Sequence, residues 1–220
     1  RRLIDLLLAD HPSGERIVLV SRDLEQNPMP DVVDLVRADS LSTRADLVRS
    51  GIASAGGALV RGRDDDETLA ATLAAAAVAP DVHIVAYFED ERSAELIGSQ
   101  CPSVEAIGSL SSELLVRSAR DPGSSRMADL LFSAKSEDTA FSMPVPETTE
   151  PVSYLDAMIG LKRRYGLTLV GVGEADGHEL DLNCEPDRRL LAGERIFYIA
   201  DKRVEADGIS WDALASGGTA

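Results

Sequence analysis

The chain has 220 residues, 44% of them hydrophobic, which is enough apolar material for one large or two small folded domains. Its formal charge of −16 comes from 38 acidic and 22 basic residues, so we expect no nucleic-acid partner. Cys101 and Cys184 belong to no paired-cysteine motif, which predicts a reduced, cytosolic setting. The sequence has no apolar run near the roughly 20 residues that a membrane helix needs.

The first two-thirds of the sequence alternates strand and helix patterns. A helical pattern, RRLIDLLLAD, comes first, and it begins at Arg1 as if in mid-helix, so we expect a longer protein or a missing first segment. The aliphatic run RIVLVS (16–21) is typical of a strand buried on both faces. Further predicted strands are 32–39, 57–62, 82–88 and 104–109, and further predicted helices are 42–52, 66–78 and 90–100. This order predicts an α/β fold with a parallel sheet and helices on both faces.

From residue 111 onward the pattern is different. Residues 111–134 predict two helices separated by the turn DPGSS (121–125). Residues 153–166 predict a helix that ends at Gly166, and ADGH (175–178) predicts a hairpin turn. The predicted strands here are 167–174, 178–185 and 195–201. These elements predict a second, smaller α+β lobe.

The order of these pieces resembles the regulator of potassium conductance domain, also called RCK or KTN. This domain forms the cytosolic gating ring of many prokaryotic potassium channels and transporters. Four stretches carry the resemblance, in this order: VRADSLSTRADLVRSGI, ALVRGRDDDETLAATLAAA, VHIVAYFEDERSAELI and LTLVGVGEADGHELDLNCEPDRRLLAGERIFYIAD. The resemblance therefore covers nearly the whole chain.

The resemblance implies four segments. They are a Rossmann-like lobe (1–110), crossover and dimerisation helices (111–136), a small C-terminal α+β lobe (137–213) and a tail (214–220). In this family a first strand and a Gly-rich turn precede the helix that RRLIDLLL would form, and this sequence does not contain them. That turn is what brings backbone close to a pyrophosphate.

The resemblance also implies a function. We expect a cytosolic, ligand-sensing regulatory domain at the inner face of the cell membrane, which does no chemistry and converts ligand binding into gating. Its expected partners are copies of itself, as a homodimer and a ring of dimers, and a transmembrane pore domain on the same or a partner chain. A nucleotide (NAD or an adenine nucleotide) or Ca²⁺ is the expected ligand.

Two pairs of residues at strand ends are candidates for nucleotide binding. Ser21 and Arg22 follow the strand that supplies the ribose ligand in dinucleotide-binding lobes, and an Arg offers a planar fork that suits phosphate. Ala38 and Asp39 end the next strand, and the resemblance places this position beside an adenine. The alternative for the first pair is solvated charges at a strand exit. For Asp39 it is an N-cap of a short turn before the helix at 42, a role that Ser40, Ser42 and Thr43 could share.

A third pair, Arg61 and Gly62, ends the following strand and completes the nucleotide-binding candidates. Two acidic runs, 64–67 and 89–91, also follow strands at this edge of the predicted sheet. An anionic nucleotide bound there would need compensating cations. Arg22, Arg61 and Arg63 are the ones available, and simple charge balance is the alternative interpretation of all three.

Acidic residues stand directly before two predicted helices. In the run Asp64–Glu67, one Asp is expected to cap the helix, because carboxylates bind the free N–H groups at a helix N-terminus. Carboxylates this close together also suit Ca²⁺, although the run lacks the calcium-loop spacing. The candidate metal ligands are Asp64, Asp65, Glu89 and Asp90.

No catalytic motif stands out. His11, His83 and His178 lie in no recognisable arrangement with a Ser or Cys, and there is no HExxH motif or Walker loop. We therefore expect no enzyme. The alternative functions are a stand-alone regulatory subunit of a cation transporter and an NAD(P)-dependent oxidoreductase with a small extra lobe.

Overall fold

The computed structural model describes residues 2–10, 16–101, 103–133, 138–175, 177 and 179–214. Backbone contacts divide the chain into two units, Arg1–Val116 and Arg117–Ala220. No helix in the described ranges combines the length and the apolar character needed to cross a membrane. His11, His178, half of the predicted hairpin turn and most of the predicted tail lie outside the described residues.

The first unit alternates strands with helices, as the pattern predicted. Its strands are β1 (Ile17–Ser21), β2 (Val33–Arg37), β3 (Ala58–Val60), β4 (Ile84–Tyr87) and β5 (Val104–Ile107). Its helices are α1 (Arg2–Asp10), α2 (Arg44–Arg49), α3 (Asp65–Val78) and α4 (Glu91–Gln100), and α5 (Ser111–Arg120) runs across the boundary between the units. A short 3-10 helix, Ile52–Ser54, follows α2.

Every strand pairing in the first unit is parallel. β1 pairs with β2 from Ile17 opposite Val33 onward. β3, β4 and β5 form a second sheet in that order. The predicted α/β class is therefore confirmed, with two parallel sheets where the pattern predicted one.

The core of the first unit surrounds β4. Ile84, Ala86 and Phe88 are completely buried, and α2, α3 and α4 contribute Leu47, Ala75 and Ile97 to the same cluster, among other residues. Burying a side chain as large as Ile or Phe stabilises a fold by about 1.5–3 kcal/mol. The expectation that the first aliphatic strand is buried on both faces is wrong. All five residues of β1 are only half-buried, so neither face of this strand is fully covered by the described part of the chain.

The second unit is an α+β fold. Its helices are α6 (Ser124–Phe132) and α7 (Tyr154–Tyr165). Its strands are β6 (Thr139–Pro144), β7 (Val152–Ser153), β8 (Thr168–Gly173), β9 (Leu180–Leu182), β10 (Arg189–Leu190) and β11 (Arg195–Ala200). They form an antiparallel sheet in the order β6-β11-β8-β9 and a small antiparallel pair, β10-β7. As predicted, Gly166 ends α7, with a positive φ of 75° that an L side chain rarely adopts.

Two glycines let β9 approach β8 closely. A Cβ atom at Gly171 would lie 2.6 Å from the backbone oxygen of Asp181, and one at Gly173 would clash with the backbone oxygen of Glu179. The pairing register of β11 with β8 shifts beside them, between Phe197 and Tyr198 of β11.

Helices α5 and α6 keep their apolar side chains exposed. Neither helix buries a residue, although both carry large hydrophobic side chains. Leu115 is 73% exposed on α5, and Phe132 is 81% exposed on α6. Each helix therefore presents apolar groups that the described part of the chain leaves uncovered.

Candidate functional site

The candidate residues lie where parallel strands of the first unit end. Ser21 ends β1, Ala38 and Asp39 follow β2, and Arg61 and Gly62 follow β3. An ion pair connects the end of β1 to the start of α3: Arg22 Nη1 lies 3.4 Å from Glu67 Oε1. The end of β1 and the β3–α3 turn therefore face each other.

Ser21 shapes the turn that leaves β1. Its backbone oxygen accepts the N–H of Ala38 at 3.0 Å, which extends the β1–β2 pairing by one bond. Its Oγ atom accepts the N–H groups of Asp23 and Leu24, both at 3.3 Å. The hydroxyl thus binds local backbone, a common role of Ser at strand exits.

The side chain of Asp39 is exposed, whereas its backbone is held by a buried acid. The N–H of Asp39 donates to Asp46 Oδ2 at 3.1 Å. Asp46 also lies 2.9 Å from Arg49 Nη2, and Arg49 donates to the backbone oxygen of Arg37. The N-cap of α2 itself is Thr43, one of the residues expected to share the capping role before this helix. The carboxylate of Asp39 is left facing solvent.

Asp46 is a structural residue that the sequence reasoning missed. It is buried and organises the turn between β2 and α2. A signal for it does exist. Thr43 and Asp46 have the Ser/Thr-x-x-acid spacing of a helix start, which places an acidic side chain beside free N–H groups.

Arg61 and Gly62 occupy different environments. The Arg61 guanidinium lies over the ring of Tyr87, 4.9 Å from its centroid, and 3.5 Å from Glu89 Oε1. The N–H of Gly62 donates to Thr68 Oγ1 at 2.9 Å. A Cβ at Gly62 would lie 2.7 Å from the backbone nitrogen of Thr68, so this turn requires glycine. The Arg61 side chain is exposed to solvent.

The acidic run before α3 caps the helix, as predicted. Asp64 is the N-cap, and its Oδ1 accepts the N–H of Glu67 at 2.8 Å. Asp65 binds the next strand–helix turn instead. Its two carboxylate oxygens accept the N–H groups of Glu89 and Asp90, both at 2.9 Å. These bonds, first that from Glu89 and then that from Asp90, lower the pKa of Asp65.

The remaining acids of the predicted metal set also have partners. Asp90 caps α4 by accepting the N–H of Arg92 at 3.2 Å, and Glu89 faces Arg61 and the hydroxyl of Tyr87. In the described ranges no three or more His, Cys, Asp or Glu residues are grouped so that they could hold a metal ion. The assignment of Ca²⁺ to this edge stays a prediction.

Glu67 is the most connected acid at this edge. Its Oε2 accepts the N–H of Arg63 at 2.9 Å and the Arg63 Nε–H at 3.1 Å, and its Oε1 pairs with Arg22. The Arg63 backbone bond, then the Arg63 side chain, and more weakly the Arg22 charge, lower the pKa of Glu67. No individual role of Glu67 was predicted from the sequence. Its spacing from Asp64, acid-x-x-Glu, was the available signal.

The arrangement can bind charged groups. Arg22, Arg61 and Arg63 each contact an acid, so the charge-balance interpretation of the three arginines holds in this structure. His83 lies just before β4, at the opposite end of that strand, with Nε2 at 3.2 Å from Glu105 Oε2. No contact described for the first unit joins a His to a Ser or Cys as a nucleophile and its base.

No protein-family model and no curated protein sequence matches the chain. Solved structures do match it. The human SLO3 gating ring matches with a TM-score of 0.66 and 14% identity, over 85% of this chain and 40% of that chain. The GsuK RCK domain matches with a TM-score of 0.39 and 19% identity, over 83% of this chain and 38% of that chain. The GsuK channel bound to NAD matches with a TM-score of 0.40 and 18% identity, over 90% of this chain and 34% of that chain.

Of these three structures, the SLO3 gating ring has a TM-score that indicates a shared fold, and the TM-scores of the other two are too low to do so. This chain spans about 40% of the length of that gating-ring chain. The resemblance expected from the sequence is thereby confirmed at the level of the fold. The chain has the fold found in the gating ring of human SLO3.

Proposed function

We propose that this chain is a cytosolic, ligand-sensing regulatory domain of a potassium channel or potassium transporter, of the kind that assembles into a gating ring. The observation that carries the proposal is the fold that the chain shares with the human SLO3 gating ring. The order of motifs along the sequence supports the same assignment. The pore domain belongs to the same polypeptide or to a partner, and the chain lies at the inner face of the membrane.

The regulatory mechanism requires no chemistry within this domain. A ligand that binds one arrangement of the assembly more tightly than another shifts the population toward that arrangement. The size of the shift is limited by the difference between the two affinities. The domain therefore transmits ligand binding to a gate through the geometry of its assembly.

The proposed ligand is a nucleotide, NAD or an adenine nucleotide, at the strand ends of the first unit. In open α/β sheets, ligands bind outside the carboxyl ends of the strands. The exposed carboxylate of Asp39 suits a ribose or an adenine amine, and Arg22 and Arg61 suit phosphates. Ser21, Ala38 and Gly62 supply backbone and small side chains at the same strand ends. The competing ligand is Ca²⁺, bound by the acids before α3 and α4.

The proposed partner is a second copy of the chain, bound through α5 and α6. The exposed apolar side chains of these helices support this assignment, because folded monomers rarely leave such groups uncovered in number. Dimers would then associate into a ring. Self-association and ligand binding can be tested separately.

The ligand is tested by thermal unfolding of the chain with NAD⁺, NADH, AMP, ADP, ATP or Ca²⁺. A ligand at 100 times its dissociation constant stabilises the folded state by about 2.7 kcal/mol, which is a measurable shift. The shift caused by a nucleotide should disappear in Asp39→Ala. The shift should persist in the control Asp81→Ala, because Asp81 is an exposed acid that precedes β4 and so lies at the opposite end of this strand from the candidate site. No shift with any of the six compounds would overturn the ligand-sensing proposal.

The assembly is tested by sedimentation of the same protein. A dimer or larger ring that dissociates on dilution supports the proposal. A monomer at all concentrations, with or without the ligand that shifts unfolding, would contradict a gating-ring role for this chain.

A further inference from the structure

We propose that Arg22 and Arg63 form a binding site for the phosphate group of a ligand, and that the carboxylate of Glu67 occupies this site in the ligand-free protein. Glu67 is then a built-in competitor that the phosphate must displace. The inference rests on the proposed function for the source of the phosphate, a nucleotide. The anion site itself can be tested without a nucleotide.

Two guanidinium groups from separate elements converge on one carboxylate. Arg22 directly follows the last residue of β1, and Arg63 lies in the turn between β3 and α3. Arg63 binds Glu67 through its backbone N–H at 2.9 Å, its Nε at 3.1 Å and its Nη2 at 3.4 Å. Arg22 Nη1 approaches the other oxygen of the same carboxylate at 3.4 Å. One anion thus receives donors from two arginines and one backbone amide.

This donor set matches a phosphate as well as a carboxylate. Guanidinium groups bind both anions through paired, nearly parallel N–H donors. A phosphate offers more acceptor oxygens and more negative charge than the single carboxylate that it would replace. The geometry therefore describes a place for an external anion that an internal anion now fills.

Other acids also lie beside the two arginines. Asp23 Oδ1 accepts the Nε–H of Arg22 at 3.1 Å, and the pKa of Arg63 is raised chiefly by Glu67 and more weakly by Asp23 and Asp64. With Glu67 in place, these carboxylates outnumber the two arginines. An anion therefore binds well only after Glu67 moves away from the two guanidinium groups.

Displacement of Glu67 would also change local structure. Glu67 lies in the first turn of α3, and its side chain holds the backbone of Arg63 in front of the helix. The cap by Asp64 on the N–H of Glu67 does not depend on that side chain. Phosphate binding would consequently rearrange the β3–α3 turn while α3 stays capped.

The test is a calorimetric titration with inorganic phosphate, carried out on the wild-type chain and on matched variants. Glu67→Gln keeps the shape of the side chain and removes its charge. We expect Glu67→Gln to bind phosphate about tenfold more tightly than the wild type, because the internal competitor is weakened. The control is Asp66→Asn, which removes one charge from an exposed neighbour in the same helix turn.

Arg22→Ala in the Glu67→Gln background should abolish the gain, because it removes one of the two guanidinium groups. An equal gain in Asp66→Asn, or no gain in Glu67→Gln, would overturn the proposal. Glu67→Ala is the second variant, and far-UV circular dichroism checks that each variant is folded. If neither Glu67 variant folds, Glu67 is an indispensable cap and cannot be a displaceable competitor, so the proposal fails.

Titration with ADP separates this inference from the proposed function. If Glu67→Gln binds inorganic phosphate more tightly than the wild type but neither protein binds ADP, the anion site is supported and a nucleotide ligand is contradicted. If the wild type binds ADP but Glu67→Gln binds neither ligand more tightly, nucleotide sensing is supported and the role of Glu67 as a competitor is contradicted.

Discussion

Asp65 accepts the backbone N–H of Glu89 at 2.9 Å and so connects two consecutive strand–helix turns of the first unit. Its second oxygen accepts the N–H of Asp90 at the same distance. A carboxylate that binds two amides in this way fixes the β4–α4 turn against the start of α3. The acid run before α3 thus contains one helix cap, Asp64, and one residue that bridges to the next turn.

We expect Asp65→Asn to lower the free energy of unfolding by about 1 kcal/mol, because an amide side chain offers one acceptor oxygen where the carboxylate offers two. Solvent screening at this partly exposed position keeps the effect modest. Urea unfolding measures the change. Asp66→Asn, at the exposed neighbouring position, should have little effect, and an equal loss in both variants would contradict the bridging role of Asp65.

The same bridge predicts a dependence on pH. The bonds from Glu89 and then Asp90 place the folded-state pKa of Asp65 below its ordinary value of 3.8. The contribution of a group whose pKa is lowered by folding is complete above its unfolded pKa and is lost as the pH falls through its folded pKa. The difference in unfolding free energy between wild type and Asp65→Asn should therefore be constant near neutral pH and shrink below about pH 4. A difference that grows in acid would contradict this assignment.

Gly62 should tolerate no side chain. A Cβ there would meet the backbone nitrogen of Thr68 at 2.7 Å, and backbone cannot move aside as a flexible side chain can. We expect Gly62→Ala to lower the free energy of unfolding by about 2–3 kcal/mol. The matched control is Gly98→Ala in α4, where no described atom outside the adjacent residues and the backbone of the helix itself lies within 4 Å of the new Cβ. That substitution should stabilise the fold by about 0.5–1 kcal/mol, since Ala favours the helix over Gly.

Two threonines one turn apart in α3 should respond oppositely to substitution by Val. Thr68 Oγ1 accepts the N–H of Gly62 and donates to the backbone oxygen of Asp64, both at 2.9 Å. Thr72 Oγ1 is buried and has no hydrogen-bond partner in the described part of the chain. We expect Thr68→Val to cost about 1–3 kcal/mol of unfolding free energy.

Thr72→Val should leave stability unchanged or raise it by about 1 kcal/mol, because it removes a buried polar atom without a partner. Chemical unfolding of both variants measures the contrast. Equal destabilisation by the two substitutions would show that Thr72 also makes a hydrogen bond.

The apolar faces of α5 and α6 predict the outcome of charge substitutions. Leu115→Glu and Phe132→Glu place a charge on side chains that are 73% and 81% exposed, so the folded monomer should keep its stability. If these helices form the interface with a second copy, each substitution should weaken self-association at least tenfold, since burying an unpaired charge is costly. Analytical ultracentrifugation measures the dissociation constant. Val48→Glu on α2, also an exposed apolar position, is the control and should not change it.

Features that depend on neighbours along the chain could be predicted from the sequence. The alternation of strands and helices predicted the α/β class, since side-chain periodicity reflects which face of an element is buried. The end of α7 at Gly166 followed from the need for a left-handed residue at a helix C-terminus. The cap at the start of α3 followed from the acid run, and the structure assigns it to Asp64.

Other features required the tertiary structure, because their partners lie far away in sequence. Nothing near Asp65 in the sequence indicates that it binds the amides of Glu89 and Asp90. The pairing of Arg22 with Glu67 likewise depends on how the end of β1 faces the start of α3.

The sequence by itself thus determined the α/β class, the order of most helices and strands, and that an acid of the Asp64–Glu67 run caps α3, because each depends on contacts within a few residues. The tertiary structure decided which acid caps, which acid bridges two turns, which acid faces two arginines, and that β1 is only half-buried. The physical reason is that hydrogen bonds and ion pairs act over about 3–4 Å, so their partners are known only when distant segments are placed side by side.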